Sequence, residues 1–122
     1  MSNNQKKKAR RDKIRRRIRS TIRGTAERPR LCIYKSNKHV HLQLINDREN
    51  ATIMSVSTKT PDLQKEVDGK ESVEAARIIG EAIAKQAKDE GYEKVVFDRS
   101  GYKYHGIVRA AAEGAREGGL DF

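Results

Sequence analysis

The chain has 122 residues, with 27 Lys and Arg against 17 Asp and Glu, a formal net charge of +10, 35% hydrophobic and 36% charged residues, and no Trp. That length and composition support one domain with a modest core; with no apolar run near the ~20 residues of a bilayer span and no apolar stretch after the basic start, neither membrane spanning nor secretion by the usual route is expected. The single Cys32 excludes an intrachain disulfide framework and suits a reducing cytosol.

Residues 1–23 hold eleven basic residues and one acid, Asp12, whereas residues 24–122 hold sixteen of each sign, so the first segment carries the whole excess. The chain therefore divides into a basic arm, 1–24, and a globular domain, 25–122. A run of like charges repels itself when free and is ordered by a polyanion. Within the arm, Ile14, Ile18 and Ile22 recur every four residues with Arg15, Arg16, Arg17 and Arg19 between them, a helical period. Three apolar residues make a thin stripe, so little stable helix is expected in isolation. Lys6-Lys7-Lys8 departs from the Arg/Ser composition of a transit peptide, and the stripe lacks the Trp, Phe and Leu of a membrane-surface helix. Nucleic acid fits the arm better, because each Lys or Arg set on a phosphate releases counterions.

After the arm, Gly24-Thr25 reads as a hinge and Arg28-Pro29 forces an extended entry. Residues 30–37 alternate Leu31 and Ile33 with Cys32 and Tyr34, and Ser36-Asn37-Lys38 is turn-like. Residues 39–47 set Val40, Leu42 and Leu44 on one face and His39, His41 and Gln43 on the other, the signature of a half-buried antiparallel strand. A polar turn over 47–50 leads to a third strand, 51–57, which completes a meander. The polar stretch 58–70, with Pro61 and Gly69, is expected as a surface loop. Residues 71–90 form the strongest helix, with Val73, Ala76, Ile79 or Gly80, Ile83 and Ala87 inward and Gly91 as its stop. The short apolar run 93–98 reads as a strand buried on both faces, parallel to an earlier strand across the helix. Residues 105–117 form a second helix with Val108, Ala111, Ala112 and Ala115 inward; it ends at Gly118-Gly119, and Leu120 and Phe122 can dock back. The order is arm, then β-β-β-α-β-α: a single α/β domain with one mixed sheet.

The chemistry-bearing residues point away from catalysis. His39 and His41 share a strand face as two metal ligands could, but a third from His105 or Asp98 has no support from spacing, and outward imidazoles that stack on or hydrogen-bond to a partner fit better. Cys32 sits among alternating apolar residues as a small hydrophobe. Asp47, Glu71 and Asp98 could supply the acids of a metal-dependent nuclease, yet Asp47 falls in a turn and the dipole of a helix start explains Glu71. Phosphate-cradling glycine motifs and zinc-protease motifs are missing, so no catalytic residue, metal or cofactor is expected. The informative segment is 98–106, between the buried strand and the last helix, where α/β sheets bind ligands and helix N–H groups favour anions. Gly101 and Gly106 allow close backbone approach, Tyr102 and Tyr104 offer stacking faces, and Arg99 and Lys103 supply charge. Core packing explains two Tyr in so polar a loop less well.

Three blocks, Arg28-Pro29-Arg30-Leu31, Ser36-Asn37-Lys38-His39 and above all Phe97-Asp98-Arg99-Ser100-Gly101-Tyr102-Lys103-Tyr104-His105-Gly106, resemble the L-eighteen family of bacterial large-subunit ribosomal proteins. The ending Ala115-Arg116-Glu117-Gly118-Gly119-Leu120-Asp121-Phe122 is similar to the same family. The resemblance implies a non-enzymatic protein of the cytoplasmic ribosome, with a mixed α/β fold related to the ribonuclease-H-like motif. It implies binding to 5S rRNA and help in attaching that RNA to 23S rRNA in the central protuberance. It further implies ribosomal proteins of the L-five and L-twenty-five types as neighbours, no membrane partner, and a monomer when free. On this basis Lys6, Lys7, Lys8, Arg10, Arg11, Arg15, Arg16, Arg17 and Arg19 of the arm neutralise phosphates. Arg28, Arg30, Ser36, Asn37, Lys38, His39 and His41 form one edge of the 5S surface. Arg99, Tyr102, Lys103, Tyr104, His105, Gly106 and Arg109 form the other. The family usually has a basic residue where Ile107 stands, so the phosphate contact expected there passes to Arg109.

Overall fold

Strands β1 (Arg30–Lys35), β2 (Val40–Asn46) and β3 (Ala51–Ser57) form the expected antiparallel meander, and β4 (Val96–Asp98) joins β1 in parallel, giving the order β3-β2-β1-β4. Helices α1 (Asn3–Thr21), α2 (Ser72–Asp89) and α3 (Gly106–Glu117) complete one α/β domain. The computed structural model describes residues 3–21, 23–36, 39–60, 63, 67 and 69–122.

The two-residue period of the strands decides which side closes. Leu31 and Ile33 pair across the ladder with Leu44 and Leu42, and with Val40, Met54 and Val56 they form the inner face. Against it pack Ala76, Ile79 and Ile83 of α2 and Val108, Ala111 and Ala115 of α3. Each Leu or Ile withdrawn from water in this way contributes about 1.5–3 kcal/mol before the entropy of ordering it. The two helices cross backbone to backbone: a methyl at Gly80 would lie 2.3 Å from the Ala111 carbonyl oxygen, and one at Gly114 2.3 Å from that of Arg77.

The helical period of the arm is realised as a 19-residue helix that sets Arg11 against the body, and Ile22 lies outside the described residues. Three local expectations change. In the stretch expected as a polar loop, Leu63 and Val67 have helical backbone and pack against the core, since a spacing of four puts both on one side; Pro61 lies outside the described residues. Val73 shares the inward arc of α2 but stands in its first turn, at the rim of the helix pair, and is 48% exposed. The strand expected over 93–98 shortens to β4, and the chain end docks beside its start. The Asp121 N–H donates to the Glu93 carbonyl at 2.8 Å and the Val95 N–H to that of Asp121 at 3.1 Å, with Phe122 stacked on Phe97 at 5.6 Å.

Candidate nucleic-acid interface

The same period that closes the inner face turns Arg30, Cys32 and Tyr34 to the outer one, opposite Ile45, Gln43 and His41. At one end of this face Arg30 is 6% exposed and held on both sides. Its Nη1 donates to Asp98 Oδ2 at 2.7 Å, while Nε and Nη2 form a fork on Asp47 Oδ2 and Oδ1 at 2.9 and 3.0 Å. Burial works against the guanidinium charge, but hydrogen bonding to Asp47 and Asp98 outweighs it and raises the Arg30 pKa. The Arg30 hydrogen bonds, first among the causes, also hold the Asp47 carboxyl below its usual range against the opposing effect of burial, and the Gly24 N–H adds to them.

This triad bears on three expectations. Arg30, expected at one edge of the RNA surface, lies buried between two carboxylates that hold its guanidinium within the fold. Asp47 and Asp98, two of the acids weighed for a nuclease, do converge, but on a guanidinium, and Glu71 lies exposed ahead of α2. Among the described residues, no group of three or more His, Cys, Asp or Glu is placed to hold a metal ion. Gly24, expected as a hinge, is buried and clamped: its N–H donates to Asp47 Oδ2 at 2.7 Å and its carbonyl accepts the Asp47 N–H at 3.0 Å.

The segment after β4 is a tight turn built around Asp98. Asp98 is fully buried, and its Oδ1 accepts the Ser100 N–H at 2.8 Å. The Tyr102 N–H reaches the Arg99 carbonyl at 3.0 Å, and Ser100 and Gly101 between them have φ of 55° and 82°, the positive pair of a type I′ turn. Gly101 is required twice over, because a methyl there would also lie 2.4 Å from the Arg11 carbonyl oxygen. Helix α1 docks at this point, with the Arg11 guanidinium 4.9 Å and the Lys35 ammonium 5.3 Å from the Tyr102 ring centre. The Tyr102 hydroxyl donates to the Lys35 carbonyl at 3.2 Å and accepts the Lys35 N–H at 3.3 Å. Tyr102 is thus a packing residue, 8% exposed, rather than a stacking face. Arg99, half-buried, donates from Nη1 to the Tyr102 carbonyl at 2.6 Å and braces the same turn.

The remaining candidates are more open. Lys103, Tyr104 and His105 are exposed; the Tyr104 ring stands edge-on to Phe97 at 6.2 Å, and its hydroxyl accepts from Arg116 at 3.2 Å. Gly106 opens α3, and Arg109 is exposed in an i,i+4 pair with Glu113 at 2.9 Å, a pairing weak enough to yield to a phosphate. On the other edge Arg28 and Ser36 are exposed, and His39 is half-buried with Nδ1 3.0 Å from Thr58 Oγ1. Half-buried His41 has its pKa lowered by burial, then by Lys59 and His39. Asn37 and Lys38 lie outside the described residues. On α1, Lys6, Lys7, Lys8, Arg10, Arg16 and Arg17 are exposed, Arg11 and Arg15 are half-buried, and Arg15 pairs with Asp12; the Arg19 side chain lies outside the described residues. Tyr34, not among the expected contacts, is 57% exposed beside His41, with ring centres 5.9 Å apart and planes tilted by 46°. Its signal was the alternation itself, which puts Tyr34 on the face opposite Leu31 and Ile33.

Known proteins resemble this chain along its length. Residues 5–122 match the family described as ribosomal L18 of archaea, bacteria, mitochondria and chloroplast. The large ribosomal subunit protein uL18 of Thermotoga petrophila is 48% identical over 122 residues, the full length of both chains. That of Thermotoga neapolitana is 50% identical over 107 residues, 88% of each chain. That of Caldicellulosiruptor saccharolyticus is 50% identical over 106 residues, 87% of this chain and 86% of its own.

Proposed function

The chain belongs to the ribosomal L18 family, and on that premise we propose that it binds 5S rRNA and helps attach it to 23S rRNA. The family's members are structural proteins of the large ribosomal subunit, so this chain is a ribosomal constituent with rRNA partners, and its family is not one of enzymes. Proteins of the L-five and L-twenty-five types are its proposed neighbours, and the free protein is proposed to be monomeric.

The division of charge carries this reading. An arm holding the entire excess of +10 is joined to a body of equal positive and negative charge, so the body selects by placement rather than by bulk field. Phosphate contacts from the arm set affinity and register, while shape and stacking on the body set the choice of RNA. On the body the proposed contacts are Arg28, Ser36, Asn37, Lys38, His39 and His41 on one edge and Lys103, Tyr104, His105, Gly106 and Arg109 on the other.

The test is a titration with 5S rRNA at several salt concentrations, with an unrelated RNA as competitor, for the full chain and for a variant with Lys6, Lys7 and Lys8 changed to Ala. The full chain should prefer 5S rRNA. The variant should show a shallower salt dependence, by about 0.7–0.9 in log–log slope for each phosphate that the lysines no longer neutralise. Equal affinity for the competitor overturns the reading, and an unchanged slope removes those lysines from the interface.

A further inference from the structure

We propose that the outer face of the sheet is a stacking site for one unpaired base of the bound RNA, with Tyr34 and His41 as its rings and Gln43 hydrogen-bonding to the base edge. The inference rests on the RNA-binding reading above and gives that surface a specific ligand chemistry.

Helices α2 and α3 cover only the inner face, and α1 touches the outer one at the Gly101–Tyr102 end. Between lies an open cleft of about 380 Å³, lined among others by Arg15, Cys32, Tyr34, His41, Gln43 and Ser100. That volume is in the range of small-ligand sites, about 300–1,000 Å³. Tyr34 is the most exposed of the large hydrophobic side chains among the described residues. With its plane tilted by 46° to His41, the pair forms a wedge rather than a closed stack, and a planar base can lie against either ring. Burial and the neighbouring Lys59 disfavour the charged form of His41 in the free protein. Gln43, half-buried on the adjacent ladder pair, accepts the weak Cys32 thiol donor at Oε1, 4.0 Å away, and carries two amide donors for the acceptors of a base edge. Lys35 follows Tyr34 in the chain, Lys59 acts on His41, and Arg15 lines the cleft, so cations flank the position a base's phosphates would take. A half-covered sheet with rings on its open side and cations at its rim suits single-stranded RNA better than a duplex, whose stacked bases cannot reach the rings.

The experiment compares the full chain with Tyr34→Leu, Tyr34→Phe and Gln43→Leu, titrated with 5S rRNA and with a fully paired RNA duplex. Tyr34→Leu should weaken 5S binding by about 5- to 150-fold, the range for removing one base stack, with an unchanged salt slope and unchanged duplex binding. Tyr34→Phe keeps the ring and should bind 5S rRNA as the parent does, while Gln43→Leu should weaken it by at least about fivefold. If the parent prefers 5S rRNA over competitor but Tyr34→Leu binds it equally well, the stacking site is overturned and the functional reading stands. If Tyr34→Leu weakens 5S and duplex binding alike, the ring is not stacking on an unpaired base and the proposal also falls. A parent with no preference for 5S rRNA removes the functional reading itself. Circular dichroism of each variant confirms that the comparison is between folded proteins.

Discussion

On its inner face the sheet sets Leu31, Ile33, Leu42 and Leu44 against two helices, all buried, whereas the outer face of the same strands carries Arg30, Cys32, Tyr34, His41, Gln43 and Ile45. The outer face is itself divided. At the arm junction Arg30, Asp47, Asp98 and the Gly24 backbone satisfy one another, and at the other end Tyr34 and His41 stay open. Polarity on the solvent side of a strand is therefore a poor guide to function by itself. What separates a scaffold residue from a contact residue is whether its polar atoms already have partners within the fold.

That contrast breaks most visibly on the inner side. Leu42 is fully buried in the middle of β2, and Leu42→Ala should cost about 3 kcal/mol in urea unfolding, the transfer term plus the cavity it leaves. The 5S affinity of the folded variant should match that of the parent. A loss below about 1 kcal/mol would show that the inner face collapses around the gap instead of being closely packed.

The closed end of the outer face should respond almost as strongly. Asp98→Asn leaves the Arg30 guanidinium with Asp47 as its remaining carboxylate, so the expected cost is about 2 kcal/mol, below the 3–5 kcal/mol of a charge left wholly uncompensated. Asp47 supplies the pH dependence. Its folded pKa lies below the unfolded value because Arg30 binds the ionised form, so its contribution is complete above the unfolded carboxylate pKa of about 4 and is lost as pH falls through the folded one. Stability of the parent should decline with acidification through that window, and Asp47→Asn should flatten this part of the curve. An Asp47→Asn curve that tracks the parent would mean the triad does not hold the arm junction.

Much of this was legible from periodicity. Alternation located β1 to β3 and their buried faces, the apolar run with charged flanks located β4 and its parallel pairing, and the helical period located α2 and α3 to within a few residues. The alternation also puts Tyr34 on the outer face, while its place opposite His41 depends on the register between β1 and β2. The triad could not be read this way, because Arg30 meets Asp98 across 68 positions and Asp47 across 17, and Arg30 looks in the sequence like any other cation near the arm. Tyr102 misled for a related reason. Its loop is polar, and its burial depends on α1 arriving from ninety residues upstream to lay Arg11 over the ring, while a thin apolar stripe gave α1 itself little weight.

The smallest expected effect separates the two tyrosines. Tyr34 and Tyr102 are both aromatic residues near the outer face, but the Tyr102 hydroxyl is joined to the backbone of Lys35 and its ring lies against two cations. Tyr102→Phe retains the ring, and with it the contact to Arg11, and removes only the hydroxyl. Lys35 is exposed, so water can reach its backbone groups once the hydroxyl is gone; the cost should be that of an ordinary neutral hydrogen bond, about 1 kcal/mol in urea unfolding. The 5S affinity should stay within about twofold of the parent, because a buried hydroxyl bonded to main chain has no nucleotide to lose. A variant of parental stability that nonetheless bound 5S rRNA tenfold more weakly would place the Tyr102 hydroxyl on the RNA, and would require α1 to leave Gly101 when the complex forms.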